Sequence, residues 1–472
     1  MKSTLQNLLK AVIFTAIFCL GLAGLYEIFR WKDTNGPYVS TFDSLYSQNE
    51  DVADVVFAGP SYTYVTMNPA QFWEEYGMAA FNMAISGQDK NSTVASLREV
   101  LKTQTPDIVL IDASGTLFDE HEVQSNVYRN TISMKLSANS FKLINASVKP
   151  EDRLDFYLRW PIIHTRYKEL ERYDFIQNPT SIYTAGYMYE WGCYERAASM
   201  DVFTVTDSFE LSETNKAWID ELVEMSKQHD FELIFYLTPG IGDGDWRRII
   251  NGVKDYLDEL GITFLDMDKD YIMVGVDFAT DFNDYRHMNY FGGVKVTKYV
   301  AEYLKAHYDI SDHRGEEGYE LWETAAMYRK HIVAWNHVSA MQDPVDVAQS
   351  VAGIDNLIVV VSLEGNYMDS ECNIADTLEA FGIDPQAMQT GGTWVIENGQ
   401  LTRSFDNTDI YRIKFNNIDT MEISRIISSS GYYLTNVTMD QNYYRNTILN
   451  TDGMYLFVYD KVTDKVLCNR EF

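Results

Sequence analysis

The chain has 472 residues, 46% of them hydrophobic and 14% aromatic, which is enough for two or three globular domains and argues against disorder. Its 38 Lys and Arg stand against 69 Asp and Glu, a net charge of −31. A surface that acidic repels phosphate backbones and argues against nucleic acid as a partner.

Residues 11–26 (AVIFTAIFCLGLAGLY) carry no charge, with Lys2 and Lys10 ahead and Arg30 and Lys32 behind. A helix of this kind spans a bilayer core when its flanks snorkel, since about 20 residues are needed. No clean small-x-small cleavage site follows, although GLAG leaves a signal peptide open, and Phe18 before Cys19 is wrong for a lipoprotein box. Residues 1–32 are therefore read as a membrane anchor or signal segment. The flanking charges are nearly balanced and do not fix its orientation.

After a polar linker, ADVVFAGPS, AAFNMAISG and PDIVLIDAS are apolar runs that end in small residues, the pattern of buried strands stopping at turns. Residues 92–102 read as a helix. From 124 to 191 the pattern turns helical and aromatic without an evident strand, so this stretch is an insertion or cap. Alternation then resumes. KAWIDELVEMSKQH is a helix, FELIFYLTP a strand, WRRIINGVKDYLDELG a helix, ITFLDM a strand and VKVTKYVAEYLKAHY a helix. Strands alternating with helices imply right-handed crossovers and a parallel sheet covered on both faces. The expected fold is thus a three-layer α/β/α domain over 50–312, with function gathered beyond the carboxyl ends of its strands.

The pattern breaks at HRGEEG. Beyond a helical connector, NLIVVVSLEG, TWVIENG, IYRIKFNN and MYLFVYDKVTDKVL read as strands with Asn-Gly and Asp-Gly turns, and SECNIADTLEAFG as a helix. Residues 322–472 are expected to form a smaller α+β domain. Cys372 and Cys468 are able to pair within it or to remain free; no cysteine or histidine spacing signals a metal site.

DYRHMNYFGG places Asp284 three residues before His287, in a chain with only eight histidines. A serine hydroxyl is a poor nucleophile until a base takes its proton. Neutral histidine suits that task when a carboxylate fixes its tautomer. Residues three apart in a helical turn share a face, so Asp284 and His287 form such a pair, and His287 then points at a serine delivered by the first strand. Ser61 sits at that turn, just past Gly59 and Pro60. Oxyanion donors are expected from the backbone N–H groups of Ser61 and Gly87. Taken singly, each residue also fits a turn or a cap.

These blocks, FAGPSYTYVTMNP, FNMAISGQDKNS and DFNDYRHMNYFGG in that order, resemble the SGNH (GDSL-type) hydrolase superfamily over about residues 50–308. The likeness is to its membrane-anchored, extracytoplasmic members associated with bacterial surface polysaccharides. It implies Ser61 as nucleophile, His287 as base, Asp284 as orienting acid, and Ser61 and Gly87 N–H as oxyanion donors, with no cofactor. The family's third block usually supplies an oxyanion asparagine, whereas this chain reads DASGTLFDEHEV there; Asp112, Ser114, His164 or Arg166 is the candidate substitute. The C-terminal domain is similar to the interleukin-like EMT inducer domain through NLIVVVSLEGNYMDSECNIADTLEAFG and NTDGMYLFVYDKVTDKVL, which implies a carbohydrate- or partner-binding accessory role. The resulting expectation is a single-pass, extracytoplasmic serine esterase or O-acyltransferase. It would act on O-acyl groups, acetyl foremost, of a cell-surface glycan. The alternative is a catalytically degenerate scaffold that binds glycan or organises surface assembly.

Three other features have plainer readings. GIGDGDW lacks the lysine of a phosphate-binding loop and reads as a rim loop. His331 and His337 flank IVAWN without ligand partners. Phe156, Tyr157, Trp160, Tyr167 and Tyr173 of the insertion read first as packing and second as a sugar-stacking wall.

Overall fold

A computed structural model describes residues 2–33, 41–117, 124–175, 181–240, 244–415, 419–429, 431–439, 442–445 and 452–472. It divides into two compact units, Met1–Ala326 and Met327–Phe472.

Among the described residues the first unit has five strands, β1 (Val55–Ala58), β2 (Ala80–Asn82), β3 (Ile108–Asp112), β4 (Glu232–Leu237) and β5 (Thr263–Asp266). They form one parallel sheet in the order β2-β1-β3-β4-β5. The apolar runs arise because both faces are covered, so a period-2 backbone sends alternate side chains into two separate cores. Val56, Ala58, Val109, Ile111, Leu233 and Phe235 face one layer, together with Leu97, Ile219, Leu222, Val253 and Leu257 of three crossover helices. Those helices are Lys90–Val100, Glu213–His229 and Gly244–Leu260. Val55, Phe57, Ile108, Leu110, Ile234 and Tyr236 face the other, against Val296, Val300 and Leu304 of the helix Tyr290–His307. The fold is therefore the expected α/β sandwich, with the strand order of the flavodoxin-like doubly wound sheets.

Trp322 belongs to this unit's core. It is fully buried, its indole N–H donates to the Ala80 carbonyl at 2.6 Å, and its ring stacks on Trp73.

The N-terminal helix Lys2–Phe29 contains an apolar segment, Gln6–Phe29, with mean hydropathy 2.2, whose most apolar 18-residue stretch has no buried residue. It is long and apolar enough to cross a membrane. The region that follows β3 is helical where described, with Gln124–Thr131, Ala138–Ser147 and Arg153–Leu158 as its main pieces.

Among the described residues the second unit holds two antiparallel sheets, of five and four strands. The five-stranded sheet comprises Leu357–Glu364, Thr393–Glu397, Gln400–Phe405, Gly453–Asp460 and Lys465–Glu471. The second comprises Asp409–Phe415, Asp419–Ile427, Tyr433–Met439 and Asn442–Arg445. Ile358, Val360, Val395, Met421, Ile423, Val437 and Phe457 pack into one core shared by the two sheets, while Val338, Val347, Val351 and Leu378 from helices cover the outer face of the larger one. Asn398 and Gly399, both at positive φ, make the tight hairpin that the Asn-Gly pair predicts. The four-stranded sheet and the helix Pro344–Val351 add to the expected α+β domain. All four cysteines are free thiols, so Cys372 and Cys468 do not pair.

Candidate active site

Strand β1 ends at Ala58, and the chain turns through Gly59 and Pro60 into a short helix, Ser61–Thr66, that begins with the serine. The turn is tight enough to require glycine. A Cβ on Gly59 would lie 2.5 Å from both Asp112 Cβ and Thr63 Oγ1. Its N–H donates to the Gln88 side-chain oxygen at 2.7 Å, while the Gln88 amide donates to the Met83 carbonyl and to Ser96 Oγ. Gln88 thereby ties the Ser61 turn to the loop after β2, where Gly87 sits at φ +64°. That conformation is cheap only for glycine.

Ser61 Oγ lies 2.7 Å from His287 Nε2, and His287 Nδ1 lies 2.8 Å from Asp284 Oδ2. An ionised carboxylate only accepts, so Nδ1 carries the proton and Nε2 is left to accept from the serine hydroxyl. Asp284 does not reach His287 across a helical turn as expected. The segment is a loop in which Asp284 Oδ1 accepts the backbone N–H of Arg286 and His287, both at 2.8 Å, leaving Oδ2 for the imidazole. Partial burial pushes the Asp284 carboxyl up, but these N–H donors and the imidazole outweigh it and hold it below the usual aspartate range. The imidazole is flanked by the Tyr62 ring, stacked at 4.9 Å.

The loop is braced from below. Arg196 lies over the rings of Phe278, Phe282 and Tyr285 and donates to the Gly240 and Tyr285 carbonyls. Residues 241–243 of the expected rim loop lie outside the described residues.

A cavity of about 240 Å³ is lined by Ser61, His287 and Asp284 together with Ser86, Glu190 and Asn283. Glu190 comes from the tail of the insertion and was not singled out from sequence. Burial raises its carboxyl and Asp284 raises it further, while His287 lowers it. Gly87 follows Ser86 directly, and the Asn126 carboxamide lies so close that a Cβ on Gly87 would meet Asn126 Cγ at 2.4 Å. Arg129 donates to Ser86 Oγ at 3.1 Å.

None of the four candidates for the missing asparagine lines this cavity. Asp112 is buried, with Oδ1 accepting Ser114 N–H at 2.8 Å and Oδ2 accepting Thr63 Oγ1 at 3.1 Å. Burial pushes its carboxyl up to about 6. Ser114 is buried. His164 Nδ1 lies 2.8 Å from the Pro161 carbonyl, and Arg166 donates to the Phe29 and Arg30 carbonyls and to Asp174. Of the insertion's aromatics, Phe156 is buried, Trp160 packs on Phe29, and Tyr167 is exposed. The Tyr173 side chain lies outside the described residues.

No family model matches the chain, and no curated protein matches it. Among solved structures, a supposed acylhydrolase from Bacteroides fragilis is similar at 14% identity and a TM-score of 0.28, over 56% of this chain and 93% of that one. A likeness that loose carries no argument about activity. The family resemblances therefore stand on their motif residues alone.

Proposed function

We propose that the first unit is a serine-dependent acyl-ester hydrolase or acyltransferase of SGNH type, held at a membrane by its N-terminal helix. One observation carries this reading: the unbroken hydrogen-bonded chain from Ser61 Oγ through His287 to Asp284. Ser61 Oγ attacks the ester carbonyl as His287 Nε2 takes its proton, and Asp284 steadies the imidazolium. The tetrahedral oxyanion is met by the N–H groups of Ser61 and Gly87. Its collapse breaks the bond to the alcohol, which leaves with the proton held on Nε2. Water then releases the acyl group as the acid, or a second hydroxyl accepts it as a new ester.

Asn126 is our candidate for the third oxyanion donor. Neither Asn126 nor Gly87 is among the residues that line the cavity; what supports this choice is that the Asn126 carboxamide lies against Gly87, directly beside the lining residue Ser86. Among the described residues that line the cavity, Glu190 and Asp284 are acidic and none is lysine or arginine, which favours alcohols that carry no negative charge, such as sugar hydroxyls. O-acetylated glycan at the extracytoplasmic surface is the substrate we propose. The experiment is acetate release from acetylated polysaccharide by the full-length protein in detergent. Release that falls roughly 10³-fold or more in Ser61→Ala supports the reading; equal release by both proteins sinks it.

A further inference from the structure

The N-terminal helix does not leave the first unit as a free stalk. Tyr26, Phe29 and Trp31 pack against Tyr128, Ile132, Trp160 and Ile163 of the insertion. The Phe29 and Trp160 rings are 5.7 Å apart and those of Trp31 and Tyr128 5.3 Å. Tyr26 donates to the Ile132 carbonyl at 2.6 Å. Arg166 donates to the Phe29 and Arg30 carbonyls, both at 2.8 Å, satisfying groups that a helix end leaves open. The apolar span ends at Phe29, so the lipid–water boundary falls on this joint. Tryptophan and tyrosine are the side chains that favour that boundary.

Around the joint the insertion exposes large apolar groups. Leu154 and Leu158 are 62% and 56% exposed and lie one turn apart on a single helix, hence on one face. Tyr167 and Phe175, each 61% exposed, follow directly on Arg166 and Asp174, the ion pair that holds the helix root. The charge changes as well: residues 124–175 hold nine Lys and Arg against six Asp and Glu, in a chain whose net charge is −31. With Arg159 and Arg166 buried, the exposed charges of this stretch are close to balanced rather than strongly acidic, so exposed leucine and tyrosine here meet a headgroup layer without the repulsion the rest of the chain would carry.

We infer that the insertion rests on the bilayer, with Leu154, Leu158, Tyr167 and Phe175 entering the headgroup layer around the root of the N-terminal helix. This rests on the membrane-anchor part of the proposed function and is independent of the chemistry. Its consequence is that the insertion, and the unit it belongs to, is held against the membrane.

The test uses the full chain with its four cysteines replaced by serine and single labels at Leu158→Cys, Tyr167→Cys or, as a control on an exposed polar surface, Glu259→Cys. Each is reconstituted into vesicles containing anionic phospholipid, labelled with a polarity-sensitive dye and quenched by lipids spin-labelled near the headgroup. The inference predicts blue-shifted emission at 158 and 167 and quenching about threefold stronger than at 259. Protein that floats with the vesicles yet shows equal quenching at all three positions overturns this inference alone. A blue shift that disappears on dilution of protein in lipid overturns it in favour of a second copy on that face. Failure to float overturns the anchor reading and this inference together.

Discussion

Ser61 Oγ and His287 Nε2 stand 2.7 Å apart although 226 positions separate them in the chain. The serine is delivered by the first strand of the sheet and the histidine by the loop before the helix Tyr290–His307, which follows the last strand. A parallel sheet brings the carboxyl ends of its strands to one edge, which makes so distant a pair local.

Asp284 gives the most specific prediction about that pair. Asp284→Asn retains an oxygen for the two loop N–H groups but offers Nδ1 a donor amide or a weaker acceptor, so the imidazole loses its tautomer. Ester turnover should fall about 10²- to 10⁴-fold with KM little changed. Steady-state kinetics on an aryl acetate check this, with circular dichroism confirming the fold.

Replacing Asn126 by alanine removes the carboxamide without filling the space over Gly87. If that amide meets the oxyanion, kcat should drop by roughly 10- to 10³-fold, while the thermal midpoint stays within a few degrees. An unchanged kcat would leave Asn126 as packing.

Glu190 should act on substrate choice. Glu190→Gln removes a negative charge from the cavity and keeps the shape. Esters whose alcohol carries a carboxylate should then gain about tenfold in kcat/KM relative to uncharged esters of similar size. The ratio of the two rates is the readout, because a general loss of folding would lower both.

Asp112 sets a dependence of stability on pH. Its carboxyl, raised to about 6 by burial, binds a proton more tightly in the native state than in the unfolded chain. The sign follows: stabilisation from this group is fully present below about pH 4 and is lost as pH rises through about 6. Relative to Asp112→Asn, the wild type should lose on the order of 2–3 kcal/mol between pH 4 and pH 7. Denaturant unfolding of both proteins across that range checks it.

How much of this was legible beforehand depended on how local the signal was. The five buried strands declared themselves as apolar runs, and Ser61, Gly87, Asp284 and His287 were read from short blocks at strand ends. Glu190, Gln88 and the Asn126 contact with Gly87 were not, because each reaches its partner through the fold and its own neighbours carry no chemical pattern. In the four-stranded sheet only IYRIKFNN was legible as a strand, and the others were missed for a different reason. DTMEISRII buries Met421, Ile423 and Arg425 on one face and interleaves charged and polar residues on the other, so no continuous apolar run exists. Arg425 is accommodated by donating to Ser362 and Thr393, partners that only the folded sheets bring together. DASG offers Asp112 as a further oxyanion donor by sequence, but in the fold Asp112 is an acceptor beneath the serine helix.

The central claim is that Ser61 is an activated nucleophile, and the most direct measurement is covalent trapping by a fluorophosphonate at neutral pH, read by intact mass and peptide mapping. The account predicts one adduct per chain, located on Ser61, absent in Ser61→Ala and strongly slowed in a His287 variant. A folded wild-type protein that takes up no probe, or takes it up elsewhere with Ser61 unmodified, would contradict it.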